Sequence, residues 1–169
     1  VSSRLLEDLH PAFRPSVRAW IADVEDEVCW KIRVFTTYRG AAEQELEKAL
    51  GKSKAAVWQS AHQYGLGIDV VPLFKGVALW KWDLKNWSWL AAKGKEHGID
   101  WAGWRSIFMR DQDPYHFQHP TFRAAGYEML LGRLRGGADL VSAAVGDAPW
   151  RPRSMTKADL AVKASWEVA

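Results

Sequence analysis

Residues 60–69 read Ser60-Ala-His62-Gln-Tyr-Gly65-Leu-Gly67-Ile-Asp69, which sets an imidazole and a carboxylate seven positions apart around two glycines. Gly65 and Gly67 permit a tight turn or a close backbone approach, and the apolar run 66–73 behind the turn predicts a short strand. On that strand Asp69 faces away from Ile68 and Val70, which point toward a core. A carboxylate among Ile68, Val70 and Val71 needs a partner, because burying its charge alone is costly. A metal ion shared with His62 would supply one.

Downstream, Asp113-Pro-Tyr115-His116-Phe117 offers a second imidazole on a segment with strand propensity. His116 is the expected third ligand. Two histidines and one carboxylate leave the fourth tetrahedral position of a zinc ion open for water, the arrangement of a catalytic site, where zinc lowers the water pKa toward about 7. Asp113, three residues before His116 and linked through Pro114, is placed to take the water's proton and return it to the departing amine. Arg39 is expected at the end of a strand, where it would support the oxyanion or grip a substrate carboxylate. Ser60 would hydrogen-bond the metal-binding turn or substrate, and Tyr115 is placed beside substrate. Taken singly, each residue also suits a plainer role: His62 a polar structural one, Asp69 a salt bridge, Asp113 a turn or cap, Arg39 a surface ion pair. His119 is expected to be structural, since positions 116 and 119 of an extended segment face opposite ways. His10 and His97 fall near helix ends and are read as structural. No Gly-x-Ser-x-Gly elbow accompanies Ser60, and Gly65-Leu-Gly67 lacks the Lys-Ser/Thr of a phosphate loop.

At 169 residues the chain suits one ordinary domain with a small appendage, and its 48% hydrophobic and 25% charged residues are those of a folded protein. A net charge of +3, from 23 Lys and Arg against 20 Asp and Glu, comes with no basic block or basic helix. Nucleic acid is therefore not expected as a partner, while an anionic wall polymer is compatible. Cys29 is the only cysteine, so an internal disulfide and a tetrathiolate zinc site are excluded; a small buried hydrophobe is its expected role. The sequence has no run of about 18 apolar residues, and the start, Val1-Ser-Ser-Arg-Leu-Leu-Glu-Asp, is too charged for a secretory leader. A soluble chain is expected. Of eleven tryptophans, seven (Trp58, Trp80, Trp82, Trp87, Trp89, Trp101 and Trp104) fall within one span. They are expected mostly in the core, with a few left to line a groove that receives a sugar or peptide.

Periodicity predicts helices from Ser2 or Ser3 through His10, with Leu5, Leu6 and Leu9 on its apolar side, and from Pro15 to Glu27 on Val17, Trp20, Ile21 and Val24. It predicts a strand at 31–37, a turn at 38–40, a helix at 41–50 stopped by Gly51, and a loop over 52–64. After the strand at 66–73 come a turn at 74–77, a helix at 84–97 closed by Gly98, an extended stretch at 99–104, a strand at 115–118 and a helix from Thr121 to about Leu131. The glycine- and proline-punctuated remainder divides the chain into a domain at 1–132 and an appendage or tail at 133–169.

Together, Ser60-Ala-His62-Gln-Tyr-Gly65-Leu-Gly67-Ile-Asp69 and Asp113-Pro-Tyr115-His116 resemble the D-alanyl-D-alanine carboxypeptidase and L-alanyl-D-glutamate endopeptidase family of zinc peptidases, within a wider group that includes hedgehog-type domains. The resemblance covers about residues 31–120 and departs at Gly67, where the family usually has alanine. It implies an α+β fold with a small antiparallel sheet flanked by helices, zinc ligation by His62, Asp69 and His116, and catalysis by Asp113. Thr37-Tyr38-Arg39 with Gln44 following is similar to the family's substrate-binding arginine segment, which puts Gln44 with substrate. The implied activity is cleavage of peptidoglycan stem peptides, between L-alanine and D-glutamate in the manner of a monomeric phage endolysin held in the host cytoplasm until release to the wall. A D-alanyl-D-alanine carboxypeptidase, a non-catalytic wall-binding module and a hedgehog-like structural zinc domain are the alternatives.

Overall fold

A computed structural model describes residues 2–102 and 113–122. Three helices, α1 (Arg14–Glu27), α2 (Ala41–Ala49) and α3 (Leu84–Glu96), accompany five strands, β1 (Lys31–Thr36), β2 (Gly67–Phe74), β3 (Val77–Ala78), β4 (Asp100–Trp101) and β5 (His116–Gln118). All strand pairs are antiparallel. β2 is the spine of the sheet: β1 pairs along one edge, while β5 and then β3 share the other, and β4 continues outward from β5. The fold is the expected α+β one, a small antiparallel sheet with flanking helices.

Alternation along β2 sorts its side chains between two environments. Ile68 and Val70 are fully buried and join a core with Trp20 and Val24 of α1, Trp87 and Leu90 of α3, and Phe117 of β5. Burial of each such side chain stabilises the fold by roughly 1.5–3 kcal/mol. Trp20 packs on Phe117 with ring centroids 4.6 Å apart, so the α1–α3 layer is keyed to the strand that carries His116. Asp69 and His116 face away from this layer.

α1 presents Val17, Trp20 and Val24 to the core at three- and four-residue spacing, as its periodicity predicts. α3 starts on a side-chain cap, Asp83 Oδ1 accepting from the Asn86 amide at 2.8 Å. It ends before Gly98, whose φ of +72° is the left-handed conformation that closes helices.

Two expectations change. The N-terminal helix is only a single 3-10 turn, Leu6–Asp8, and Leu5 is exposed. Ser3 explains why: its amide donates to the Tyr38 carbonyl and its carbonyl accepts from the Thr37 amide, both at 2.8 Å, which holds the segment extended. Cys29 is exposed rather than buried. It lies between the end of α1 and β1, where the neighbouring Val28 packs against the core and Trp30 stands edge-on to Trp82 and Trp89. The expected remainder of the helix from Thr121, Trp104 and the appendage at 133–169 lie outside the described residues.

Candidate metal centre and its cavity

The site begins with a corner. Residues Ala61–Tyr64 form a 3-10 turn that ends at Gly65, whose φ of +63° requires the freedom of glycine. Tyr64 Oη donates to the Trp58 carbonyl at 2.7 Å, and the Trp58 amide donates to Gln63 Oε1. Trp58 itself sits at φ +64° with its ring buried, a conformation these two bonds hold in place. This corner delivers His62 to the start of β2. There the register puts Asp69 opposite Thr36 on one side and opposite His116 on the other, so two of the three expected ligands are direct cross-strand neighbours.

The three side chains converge. His62 Nε2 lies 3.0 Å from Asp69 Oδ1 and 3.0 Å from His116 Nδ1, and His116 Nδ1 lies 2.9 Å from Asp69 Oδ1. Among the described residues, His62, Asp69 and His116 form a group whose ligand atoms all lie within 4.8 Å of one another. The outward ring nitrogens have acceptors too. His62 Nδ1 faces the Thr37 carbonyl at 3.4 Å, and His116 Nε2 faces Gln118 Oε1 at 3.3 Å. A proton on each outward nitrogen turns two imidazole lone pairs and a carboxylate oxygen toward one point, a donor set that repels itself unless a cation joins it. Carbonyl-oriented imidazoles are also the usual support of metal-ligating histidines. The residues fit a zinc ion of the two-histidine, one-carboxylate type.

Electrostatics agree with the geometry. Burial pushes the His62 imidazolium below its ordinary pKa, more than the adjacent Asp69 carboxylate restores it, so His62 is held neutral. Burial would raise the Asp69 carboxyl, but the charges and hydrogen bonds of His62 and His116 outweigh it and hold that group well below the usual carboxylate range. For His116 burial works downward, and the Asp69 hydrogen bond and charge, with Asp113 beyond, carry it above 6.5. Asp113 opens onto the cavity. Even so, the surrounding protein, followed by the negative charge of Asp69, pushes its carboxyl upward. The His116 amide donates to the Asp113 carbonyl at 3.4 Å, a turn that sets Asp113 directly before the strand that carries His116.

Around these groups lies a cavity of about 800 Å³ whose lining includes Arg39, Ser60, His62, Asp69, Asp113, Tyr115 and His116. Arg39 Nη2 is 3.8 Å from Asp69 Oδ2, and Nη1 donates to Gln44 Oε1 at 3.1 Å. Ser60, at the entrance to the corner, and Tyr115, next to His116, both reach the cavity wall. Gln44 does not. It is fully buried, and its amide nitrogen donates to Ser53 Oγ at 2.9 Å and to the Ala55 carbonyl at 2.7 Å. Gln44 therefore ties the cavity's arginine to the loop at 52–55 on its rim. His119 lies away from the cluster, edge-on to Phe13 at 5.6 Å, with its amide on the Leu66 carbonyl. His97 pairs with Asp23 at 3.1 Å, and His10 Nδ1 accepts from the Ala12 amide.

Several cavity residues lay beyond the sequence reading. Gln118, which shares a strand face with His116 two positions earlier, was open to the period-2 argument. Trp80 is among the tryptophans of which a few are expected in a groove, and residues 52–55 belong to the stretch expected as a loop; Phe35 reaches the cavity through tertiary contacts that no local pattern announces.

No protein-family model matches the sequence, and no curated protein matches it either. Solved structures do. The L-Ala D-Glu endopeptidase ChiX of Serratia marcescens is similar at 22% identity and a TM-score of 0.56, over 73% of this chain and 91% of that one. The vancomycin-resistance D,D-pentapeptidase VanY of the VanB-type cassette, solved as a mutant in complex with Zn(II), is similar at 15% identity and a TM-score of 0.50, over 71% and 78%. The LD-carboxypeptidase LdcB, whose structure concerns peptidoglycan recognition, is similar at 14% identity and a TM-score of 0.51, over 85% and 72%. At such identities the likeness is one of fold. The chain folds as these peptidases do, and on that fold it carries a His-Asp-His cluster able to hold a metal ion.

Proposed function

We propose that the protein is a zinc-dependent peptidoglycan peptidase that cuts stem peptides between L-alanine and D-glutamate. The observation that carries this reading is the convergence of His62, Asp69 and His116 in a cavity that also holds Asp113 and Arg39. A zinc ion held by those three side chains would supply Lewis acidity to water and to the scissile carbonyl. Asp113, with its raised proton affinity, takes the proton of the attacking water and passes it to the departing amine. Arg39, fixed by Gln44 and Asp69, offers its remaining N–H groups to the developing oxyanion or to a carboxylate of the leaving peptide. Three solved peptidases of the same fold support the substrate class. Action as a monomeric phage lysin, made in the host cytoplasm and released to the wall, belongs to the same proposal. Among the described residues no helix is long and apolar enough to cross a membrane.

The test is digestion of purified peptidoglycan by the zinc-reconstituted protein, with products identified by mass and with Asp113→Ala and His116→Ala proteins alongside. New D-glutamate amino ends are expected. Release of free D-alanine instead would assign a carboxypeptidase, and an intact wall in the presence of folded, zinc-loaded protein would overturn the hydrolase reading.

A further inference from the structure

The cavity wall divides by chemistry. One part is basic, formed by Arg39 with Lys52 and Lys54 on the rim loop that Gln44 ties to it. Another part is aromatic, formed by Phe35, Trp80 and Tyr115. The aromatic part is anchored just past Asp69 on the spine strand: the Val70 amide donates to the Tyr115 carbonyl at 3.0 Å, and the Leu79 amide to the Pro72 carbonyl at 2.9 Å. Tyr115 Oη donates to the Trp80 carbonyl at 2.8 Å. The Trp80 ring stands edge-on to Phe35 on one side, at 5.2 Å, and to Tyr115 on the other, at 5.3 Å. Arg4 covers the Phe35 ring. Trp80 is thus held in a fixed plane by its neighbours and still leaves 41% of its surface open. A braced, exposed indole on the cavity wall that also holds His116 has no role in the reaction assigned above.

Resting on the peptidase reading, we infer that the Trp80 shelf, buttressed by Phe35 and Tyr115, is a subsite for the pyranose ring of the amino sugar to which the stem peptide is attached. Charge complementarity orients the substrate. The leaving peptide, from D-glutamate onward, carries the free carboxylates and belongs with Arg39 and the 52–54 rim. The acyl half then runs over the shelf. That half offers only the methyl of L-alanine before the lactyl group and the sugar, and a methyl cannot use the surface of an indole. A pyranose can, because its face of polarised C–H bonds matches the negative face of the aromatic ring. One residue and a lactyl unit extend about 7 Å, which keeps the sugar close to the scissile bond. A bond at the far end of the stem would carry the sugar well past the shelf. The cavity volume of about 800 Å³ is toward the upper end of ligand sites, roughly 300–1,000 Å³, and exceeds the needs of the scissile pair alone.

The experiment compares two synthetic substrates of identical peptide sequence, one bearing N-acetylmuramic acid on its L-alanine and one bearing an acetyl group there. It uses zinc-loaded wild type, Trp80→Ala and the space-filling Trp80→Leu. In parallel, N-acetylmuramyl-L-alanine is titrated into each protein by NMR. The sugar-bearing substrate is expected to have a kcat/KM about tenfold higher in the wild type, a difference of about 1.4 kcal/mol, with the ratio falling toward one in both variants and the ligand shifts lost with it. Equal rates on the two substrates in the wild type, or a preference that survives both Trp80 changes, would overturn the inference. If neither substrate is cut, the peptidase reading fails, and the titration decides the shelf alone: binding abolished by Trp80→Leu sustains it, and absence of wild-type binding refutes it.

Discussion

Gly67→Ala is the sharpest probe of how the centre is assembled, because the alanine usual in the resembling family meets three atoms here. A methyl built on Gly67 comes within 3.0 Å of His116 Cε1, 3.0 Å of the His62 amide nitrogen and 3.1 Å of Ala61 Cβ, where ordinary contact begins at 3.4 Å. Gly67 has no positive φ to protect, so the effect is purely one of packing. Each neighbour must move by a few tenths of an ångström. Two of the three belong to the corner fixed by Trp58 and Tyr64 and resist. The imidazole of His116 is the freest to shift, and it is a proposed ligand. Overpacking at such a site costs about 1–3 kcal/mol, and misplacing a ligand costs metal affinity on the scale of disturbed outer-shell support, about 10–100-fold. Competition with a chromophoric chelator measures the zinc affinity, and thermal unfolding of the metal-free protein measures the packing term. Wild-type values in both would refute the argument, since they would mean that corner and strand separate freely.

Asp113→Asn should lower kcat by about 10²–10⁴-fold, the usual contribution of a general base, with zinc affinity retained. Because the Asp113 carboxyl is raised in the fold, its charge destabilises the metal-free protein above the folded pKa and has no such effect below the unfolded one. The Asn variant should therefore melt higher than wild type at neutral pH and not in acid, and an equal difference at both would contradict the assignment. Zinc competes with a proton for His116, whose pKa is raised, while His62 is held neutral. Affinity should fall as pH falls, the loss setting in above the pH at which an ordinary imidazole titrates and approaching about tenfold per unit, the slope of a single proton; titration calorimetry across pH giving a flat profile would exclude this. Gln44→Leu removes the acceptor of Arg39 and the donor to Ser53 and Ala55. It should raise KM several-fold more than it lowers kcat, leave zinc affinity intact and destabilise by about 1–3 kcal/mol; a loss of zinc instead would place Gln44 in the metal's support.

Much of this arrangement was legible along the chain wherever side-chain period and environment coincide. The alternation Ile68-Asp69-Val70 separates core from site on one strand, and α1 announces its buried face through Val17, Trp20 and Val24. The convergence of His62, Asp69 and His116 follows from those periods plus one turn. The remainder depends on partners distant in sequence. Leu5, Leu6 and Leu9 have helical spacing, yet Ser3 pairs with residues 37 and 38 and prevents the helix. Gln44 occupies an inward position of α2, but only the return of the chain at 53–55 shows that its amide ends there and not in the cavity. Cys29 yields the inward place to Val28, a competition between neighbours that hydrophobicity alone leaves open.

The shortness of β5 carries a final consequence. His116–Gln118 pair it with the spine, flanked by the Val70–Tyr115 and His119–Leu66 backbone bonds, and its first residue is the cross-strand partner of Asp69, 47 positions away in sequence. Three residue pairs and two flanking bonds are a short seam between segments so far apart in sequence. A cation bridging His116 to Asp69 and His62 would act as a rivet through that seam. Loading of the centre and the seating of β5 are then one equilibrium, and amide exchange at Phe117 and Gln118 should report metal occupancy as directly as any assay of the reaction.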